Sequence, residues 1–293
     1  FKQKTAYEIR PRDWSSDVGS SDLAVVVADG SGDGAGGAGA DAQLAQLGDM
    51  GDRPAAGADG VAAHDREVDP PAVHDGVEAL GEGPADDDEA SGYHLHASLV
   101  NKAGRNLFDA PRAKDGLSET AHQFIAGVVE HGPALCGLLN PTVNAYKRII
   151  NGGLSPKFAN WGHDNRFAML RISEERGPAA RAEIRSGDGS ANPYLVASAL
   201  LAAGLDGIER KLKPPAPVVG NFYEGPEEAF GAPLPTSLGE ALDALEGDTR
   251  LVDLVGPELV ATFLRNKRYE LARWEAHQNR LTAWEIEEYA EAL

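Results

Sequence analysis

The chain has 293 residues, with 46 acidic against 27 basic side chains, a formal net charge of −19 and a single cysteine. That balance excludes the basic stripe of a nucleic-acid binder, and one cysteine excludes a disulfide scaffold. The only apolar run near the N-terminus, Ala24 to Ala28, is too brief for a signal peptide or a membrane span.

The charge is not spread evenly. Residues 1–23 are neutral, residues 24–92 carry −14 with only Arg53 and Arg66 as bases, and residues 93–293 carry the remaining −5. The opening run, FKQKTAYEIRPRDWSSDVGSSDL, resembles the translation of a common sequencing-library adapter, with Gly19 where that translation usually has cysteine, so residues 1–23 are set aside from fold reasoning. Residues 24–92 contain no Phe, Tyr, Trp, Ile, Asn or Lys. A core is hardly built from such a composition, so residues 24–90 read as natural disorder or as a GC-rich stretch in a wrong frame. The globular part starts at about residue 91, and roughly 200 residues suffice for one core.

In YHLHASL, Tyr93 to Leu99, alternation places His94, His96 and Ser98 on one strand face and Tyr93, Leu95, Ala97 and Leu99 on the other. Read alone, the polar face is either a solvated surface or a site for a metal and a phosphate. Ser118 caps a helix running to about Leu139 on the apolar period of Phe124, Ile125, Val128, Val129 and Leu135, and Asn140 before Pro141 ends it. Cys136 on that helix reads as packing, and a reducing, cytoplasmic location is expected. Asn151, Gly152 and Gly153 mark a loop, and Arg148, Arg166 and Arg171 flank it on separate segments.

The block RAEIRSGDGSANPYL, Arg181 to Leu195, puts Arg181, Glu183 and Arg185 on one strand face and Ala182 and Ile184 on the other. Two cations beside one acid keep that acid ionised, as a ligand for a hard divalent ion must be, and each guanidinium grips carboxylate or phosphate oxygens as a fork. A surface ion-pair ladder is the alternative. Pro193 starts a helix to about Lys213, Pro214 to Pro235 forms a proline-rich loop, and a long helix through Phe263, Leu264, Tyr269, Leu271 and Trp274 breaks near Asn279. Thr282 and Glu285 form a capping-box pattern, with Leu281 and Ile286 spaced as a hydrophobic staple.

The order HLH, NPTVNAYKR, NR, then EIR with SANPYL resembles the catalytic domain of the glutamine synthetase family, from about Ser91 to the C-terminus. The resemblance implies an α+β fold, a curved antiparallel sheet backed by helices, of which residues 91–293 form a partial copy. It implies ATP-dependent joining of the glutamate γ-carboxylate to ammonia or a small amine through γ-glutamyl phosphate, with magnesium or manganese ions. His94 and Glu183 would be metal ligands. His96, Ala97, Ser98 and Arg181 would line the nucleotide, Arg148 and Arg185 would hold glutamate, and Arg166 and Arg171 would reach the transferred phosphoryl group.

Four positions depart from the family pattern: Leu154 replaces a flap glutamate that helps bind ammonium, Ala179 replaces a lysine, and Glu89 and Ala90 replace an Asn–Gly pair. The first favours a bulkier, partly apolar amine, as in the γ-glutamyl-polyamine and ethanolamide branches. The family's N-terminal β-grasp domain and paired metal-binding glutamates have no counterpart in residues 1–90. The polypeptide as written is therefore expected to be inactive, and the ring-shaped homo-oligomers of the family are expected only where that domain is supplied.

Overall fold

The computed structural model describes residues 23–29, 92–101, 103–150, 155–221 and 227–289; of 23–29, Arg148, Ile150, Glu227 and Glu228 only the backbone is described. All of these belong to one compact unit. In chain order its strands and helices are β1 (Leu23–Asp29), β2 (Gly92–Asn101), α1 (Glu119–Glu130), α2 (Gly132–Leu139), α3 (Val143–Ile150), β3 (Phe158–Ala159), β4 (Trp161–His163), β5 (Leu170–Ile172), β6 (Ala182–Asp188), α4 (Pro193–Glu209), β7 (Ala232–Pro233), α5 (Leu238–Gly247), α6 (Thr249–Val255), α7 (Pro257–Gln278) and α8 (Ala283–Tyr289).

The larger sheet has the order β1-β2-β6-β5-β4. Its first three pairings are antiparallel, the β2–β6 and β6–β5 pairs as the resemblance implies, but β4 and β5 run parallel across a turn of six residues. β1 is an addition to the sequence reading: its Leu-Ala-Val-Val-Val-Ala-Asp run, noted there only for its brevity, pairs along β2 from Asn101 back to Leu95. β-branched residues favour an extended chain even where the surrounding composition does not.

Alternation on β2 and β6 works as the sequence predicts. Leu95, Ala97 and Leu99 join Ala182, Ile184, Leu170 and Ile172 in one core with Phe124, Ile125 and Val128 of α1 and Leu200 and Leu201 of α4. The opposite sheet face is left to the polar residues. Ser118 caps α1, its hydroxyl accepting from Ala121 N–H at 3.0 Å. The single helix expected as far as Leu139 divides after Glu130, because Pro133 in the first turn of α2 has no N–H for the preceding turn and its ring crowds it. α2 then ends at Asn140, before Pro141.

Asn192 starts α4 by accepting from Tyr194 N–H at 2.9 Å and Leu195 N–H at 3.3 Å. The helix stops at Glu209, short of the expected Lys213, where Lys211 takes a φ of +54° and Leu212 N–H bonds back to Gly207. In α7 the break at Asn279 appears as expected, and Thr282 and Glu285 bond reciprocally at the start of α8. Leu281 and Ile286 stay 80% and 56% exposed, so a staple there buries little. No helix among the described residues is long and apolar enough to cross a membrane.

A buried ionic knot joins the helices. His131, between α1 and α2, places Nδ1 2.6 Å from Asp248 and Nε2 3.1 Å from Asp206, and fully buried Asp206 also accepts from Arg210 at 2.9 Å and Arg250 at 2.7 Å. With a carboxylate on each ring nitrogen the imidazole is held as the cation. Burial opposes that charge, but the hydrogen bonds and charges of Asp248 and Asp206 outweigh it and raise the His131 pKa, while Asp206 and Asp248 are held below the usual carboxylate range.

The histidine's contribution is complete below its unfolded pKa of about 6.5 and fades as pH rises through the higher folded value. The aspartates' contributions are complete above about 3.9 and are lost as pH falls. This cluster's contribution to thermal stability should therefore be greatest between roughly pH 4 and 6.5 and fall as pH rises further. In melting curves His131→Gln should flatten the decline above pH 6.5; an undiminished decline in that variant would place its source elsewhere.

Candidate functional site

Glu183 lies at the centre of the polar sheet face, 3% exposed at its side chain. Strand register aligns it with His96 on β2 and Arg171 on β5, so His96, Glu183 and Arg171 form a row across three strands. Arg171 Nη1 donates to Oε2 at 2.7 Å, Arg185 Nη1 donates to Oε1 at 2.5 Å, and His94 Nδ1 stands 3.3 Å from Oε1. Burial alone would push the Glu183 carboxyl up; the guanidiniums of Arg185 and Arg171 outweigh it and hold the group ionised, below the usual range.

Arg181, just before β6, donates from Nε to His96 Nδ1 at 3.3 Å, from Nη1 to Ala179 O and from Nη2 to Glu175. A guanidinium nitrogen can only donate, so His96 accepts at Nδ1 and carries its proton on Nε2, ready to donate to an anion. Burial, the main influence, pulls the His96 pKa down and keeps the ring neutral.

Of the arginines singled out in the sequence, Arg171 and Arg185 meet at Glu183, and Arg181 meets His96. Arg166 lies in the turn between β4 and β5 with an exposed side chain, and its carbonyl accepts from Arg185 Nε at 3.1 Å. Arg185 is 6% exposed at its side chain and spends two nitrogens inside the protein. Ser98 shares the polar face with His94 and His96, whereas the Ala97 side chain is turned into the core, 1% exposed. Arg148 lies on α3, whose Ala145, Tyr146 and Ile149 are buried; its side chain, the 151–153 loop, Leu154, Glu89 and Ala90 lie outside what is described.

As metal ligands, His94 and Glu183 are adjacent but both carboxylate oxygens are engaged by guanidiniums. No group of three His, Cys, Asp or Glu among the described residues is placed to hold a metal ion. Magnesium takes about six oxygen ligands in a near-octahedral shell, so these residues do not make an ion site by themselves.

Two parts of this region carried no signal in the sequence. Asp164 accepts from Arg171 Nε at 2.9 Å and also from Nη2. The proline-rich segment after α4, to which the sequence assigns no chemistry, straps the β4–β5 turn: Val218 N–H bonds to Trp161 O, Trp161 Nε1 donates to Pro215 O, and Asn165 Nδ2 donates to Gly220 O at 2.9 Å. An open groove of about 440 Å³ runs between turn and strap, lined by Asp164, Arg166, Phe167 and Val218.

Comparison with known proteins agrees with this sheet. Residues 71–289 match the family model described as glutamine synthetase, catalytic domain. Proteins named glutamine synthetase from Halobacterium salinarum and Pyrococcus abyssi are 41% and 43% identical over 71% and 68% of this chain. The chain covers 46% and 47% of those proteins, about half their length. Two solved structures are similar: "GmaS/ADP complex-Conformation 1", at 38% identity, TM-score 0.60 and coverage of 69% of this chain and 46% of that one, and "Apo GmaS without ligand", at 40% identity, TM-score 0.58 and coverage of 67% and 44%. The family match begins at residue 71, inside the low-complexity segment and ahead of the first motif read from sequence at Tyr93. Carrying the row of His96, Glu183 and Arg171 on a sheet of this topology, the chain belongs to the glutamine synthetase family of ligases.

Proposed function

We propose that the β2–β6–β5 face is the phosphate and carboxylate wall of an ATP-dependent ligase joining the γ-carboxylate of glutamate to an amine through γ-glutamyl phosphate. The observation that carries this is the pair of guanidiniums, Arg171 and Arg185, fixed on one buried carboxylate, with Arg181 bonded to His96 Nδ1 so that His96 Nε2–H is left to donate beside them. Transfer of a phosphoryl group is catalysed chiefly by positioning and by neutralising oxygen charge, and needs no nucleophilic side chain. In this reading Arg166 and Arg171 reach the transferred group, Arg181, His96, Ser98 and the Ala97 backbone line the nucleotide, and Arg148 and Arg185 hold glutamate. The solved relative titled as an ADP complex supports the nucleotide. In this reading His94 and Glu183 would be this wall's contribution to a magnesium or manganese site, which by themselves they do not complete.

Leu154, in place of the flap acid, supports a small, partly apolar amine over ammonium. A second reading, in which the 293-residue chain binds nucleotide without turning over, is favoured by the engagement of both Glu183 oxygens with arginine. Phosphate release by the purified chain, with ATP, glutamate, magnesium and in turn ammonium, methylamine, ethanolamine and putrescine, separates the two. Release dependent on both glutamate and amine establishes the ligase in this polypeptide, and a best rate with ammonium refutes the amine preference. ADP binding without release is the result expected for the chain as it stands. Neither binding nor release overturns both readings.

A further inference from the structure

We propose that Asp164 is the positioning residue for Arg171, and that the turn it opens sets the spacing of both guanidiniums on Glu183. The proposal rests on the reading of this face as a phosphate wall and deepens it. Asp164 follows β4 with a φ of +44°, a left-handed conformation that side chains disfavour and that Asp and Asn tolerate better than most. Its N–H bonds to Ile172 O at 2.9 Å, which ties the turn to β5 one residue beyond Arg171. Its carboxylate takes the Nε and Nη2 edge of the Arg171 guanidinium. Both bonds converge on Asp164 Oδ1, and a turn of the planar guanidinium about its long axis would break at least one of them, so Nη1 is left aimed at Glu183, 2.7 Å away.

The same turn aims the second arginine, because the Arg166 carbonyl receives Arg185 Nε at 3.1 Å. Asn165 stiffens it by accepting from Phe167 N–H at 2.9 Å and donating to the carbonyls of Val218 and Gly220. Gly162 lets the strap come this near: a Cβ there would lie 2.8 Å from Val218 O and 2.9 Å from Asn165 Cβ. An acid beside an anion-binding wall works against affinity on charge alone, since removing it would raise the positive potential. Its value therefore lies in geometry, and the two effects have opposite signs.

The test uses the full chain with 15N-labelled arginine. The Arg171 Nε–H signal, assigned by its loss in Arg171→Lys, is expected to exchange slowly in the parent, to be lost to fast exchange in Asp164→Ala, and to persist in weakened form in Asp164→Asn, which keeps the turn's backbone. Pyrophosphate titration should show Asp164→Ala binding roughly tenfold more weakly, the scale of one charge-assisted contact, despite the loss of a negative charge. An unchanged Arg171 signal, or equal or tighter pyrophosphate binding in a folded variant, overturns the proposal. If Asp164→Ala does not fold, the signal and affinity of Asp164→Asn decide alone. A parent that binds no pyrophosphate refutes the phosphate wall, while the Nε–H comparison still judges Asp164.

Discussion

Replacing Glu183 with alanine is expected to destabilise the domain by about 3–5 kcal/mol, the usual cost of leaving a buried charge without its partner. Solvent screens little of it, since the Glu183 and Arg185 side chains are 3% and 6% exposed. The loss should fall mainly on Arg185. Arg171 keeps Asp164 as a counter-ion, whereas Arg185 keeps only the Arg166 carbonyl among the contacts described above. In a domain of about 200 residues the melting temperature should drop on the order of 10 °C, and Glu183→Gln, which preserves shape and an acceptor oxygen, should cost less. A fall of under about 2 °C for Glu183→Ala would show that water reaches the clasp and that the carboxylate is not the counter-ion on which the wall depends.

Gly207→Ala should be comparably damaging for a steric reason. α1 and α4 cross backbone to backbone: a Cβ on Gly207 would lie 2.1 Å from Gln123 O and 2.6 Å from Gly127 N, and one on Gly127 would lie 2.1 Å from Ala203 O. Alanine gains roughly 1 kcal/mol over glycine within a helix, but overpacking costs about 1–3 kcal/mol or more. Here the atoms met are backbone, which cannot rotate away, so the steric cost wins and the helix pair must separate. Gly239→Ala in α5 is the control, because its nearest neighbour would be the flexible Leu271 Cδ2 at 3.5 Å and the propensity gain should survive. Denaturant midpoints for both variants check this; a neutral Gly207→Ala would mean that the crossing is looser than described.

What the sequence disclosed was whatever has a short period or a local cap. Alternation alone separates His94, His96 and Ser98 from Leu95, Ala97 and Leu99, and Arg181, Glu183 and Arg185 from Ala182 and Ile184. Ser118 and the Asn192–Pro193 pair mark helix starts through bonds made within three residues. The division at His131 was signalled by Gly132 and Pro133, but an unbroken apolar period hid it. The ionic knot had no such signal: His131 meets Asp206 and Asp248 across 75 and 117 residues of chain. Asp164 was equally silent, since a left-handed backbone at a non-glycine residue leaves no compositional trace. The parallel pairing of β4 with β5 arises from that turn and runs against the expectation that parallel neighbours need a long crossover.

In the proposed reading the departures at Leu154 and Ala179 concern the amine and the phosphate, whereas the clasp on Glu183 is made by Arg171 and Arg185. On that reading the clasp joins fold to function, because the contacts that stabilise the sheet would also set where cations face an anion.

A crystal structure of the chain grown with ADP tests this most directly. The phosphates are predicted on the outer face of β2, β6 and β5, within hydrogen-bonding distance of His96 Nε2 and of Arg171 or Arg181. ADP bound away from that face, or a face still empty at saturating ADP, would contradict the account.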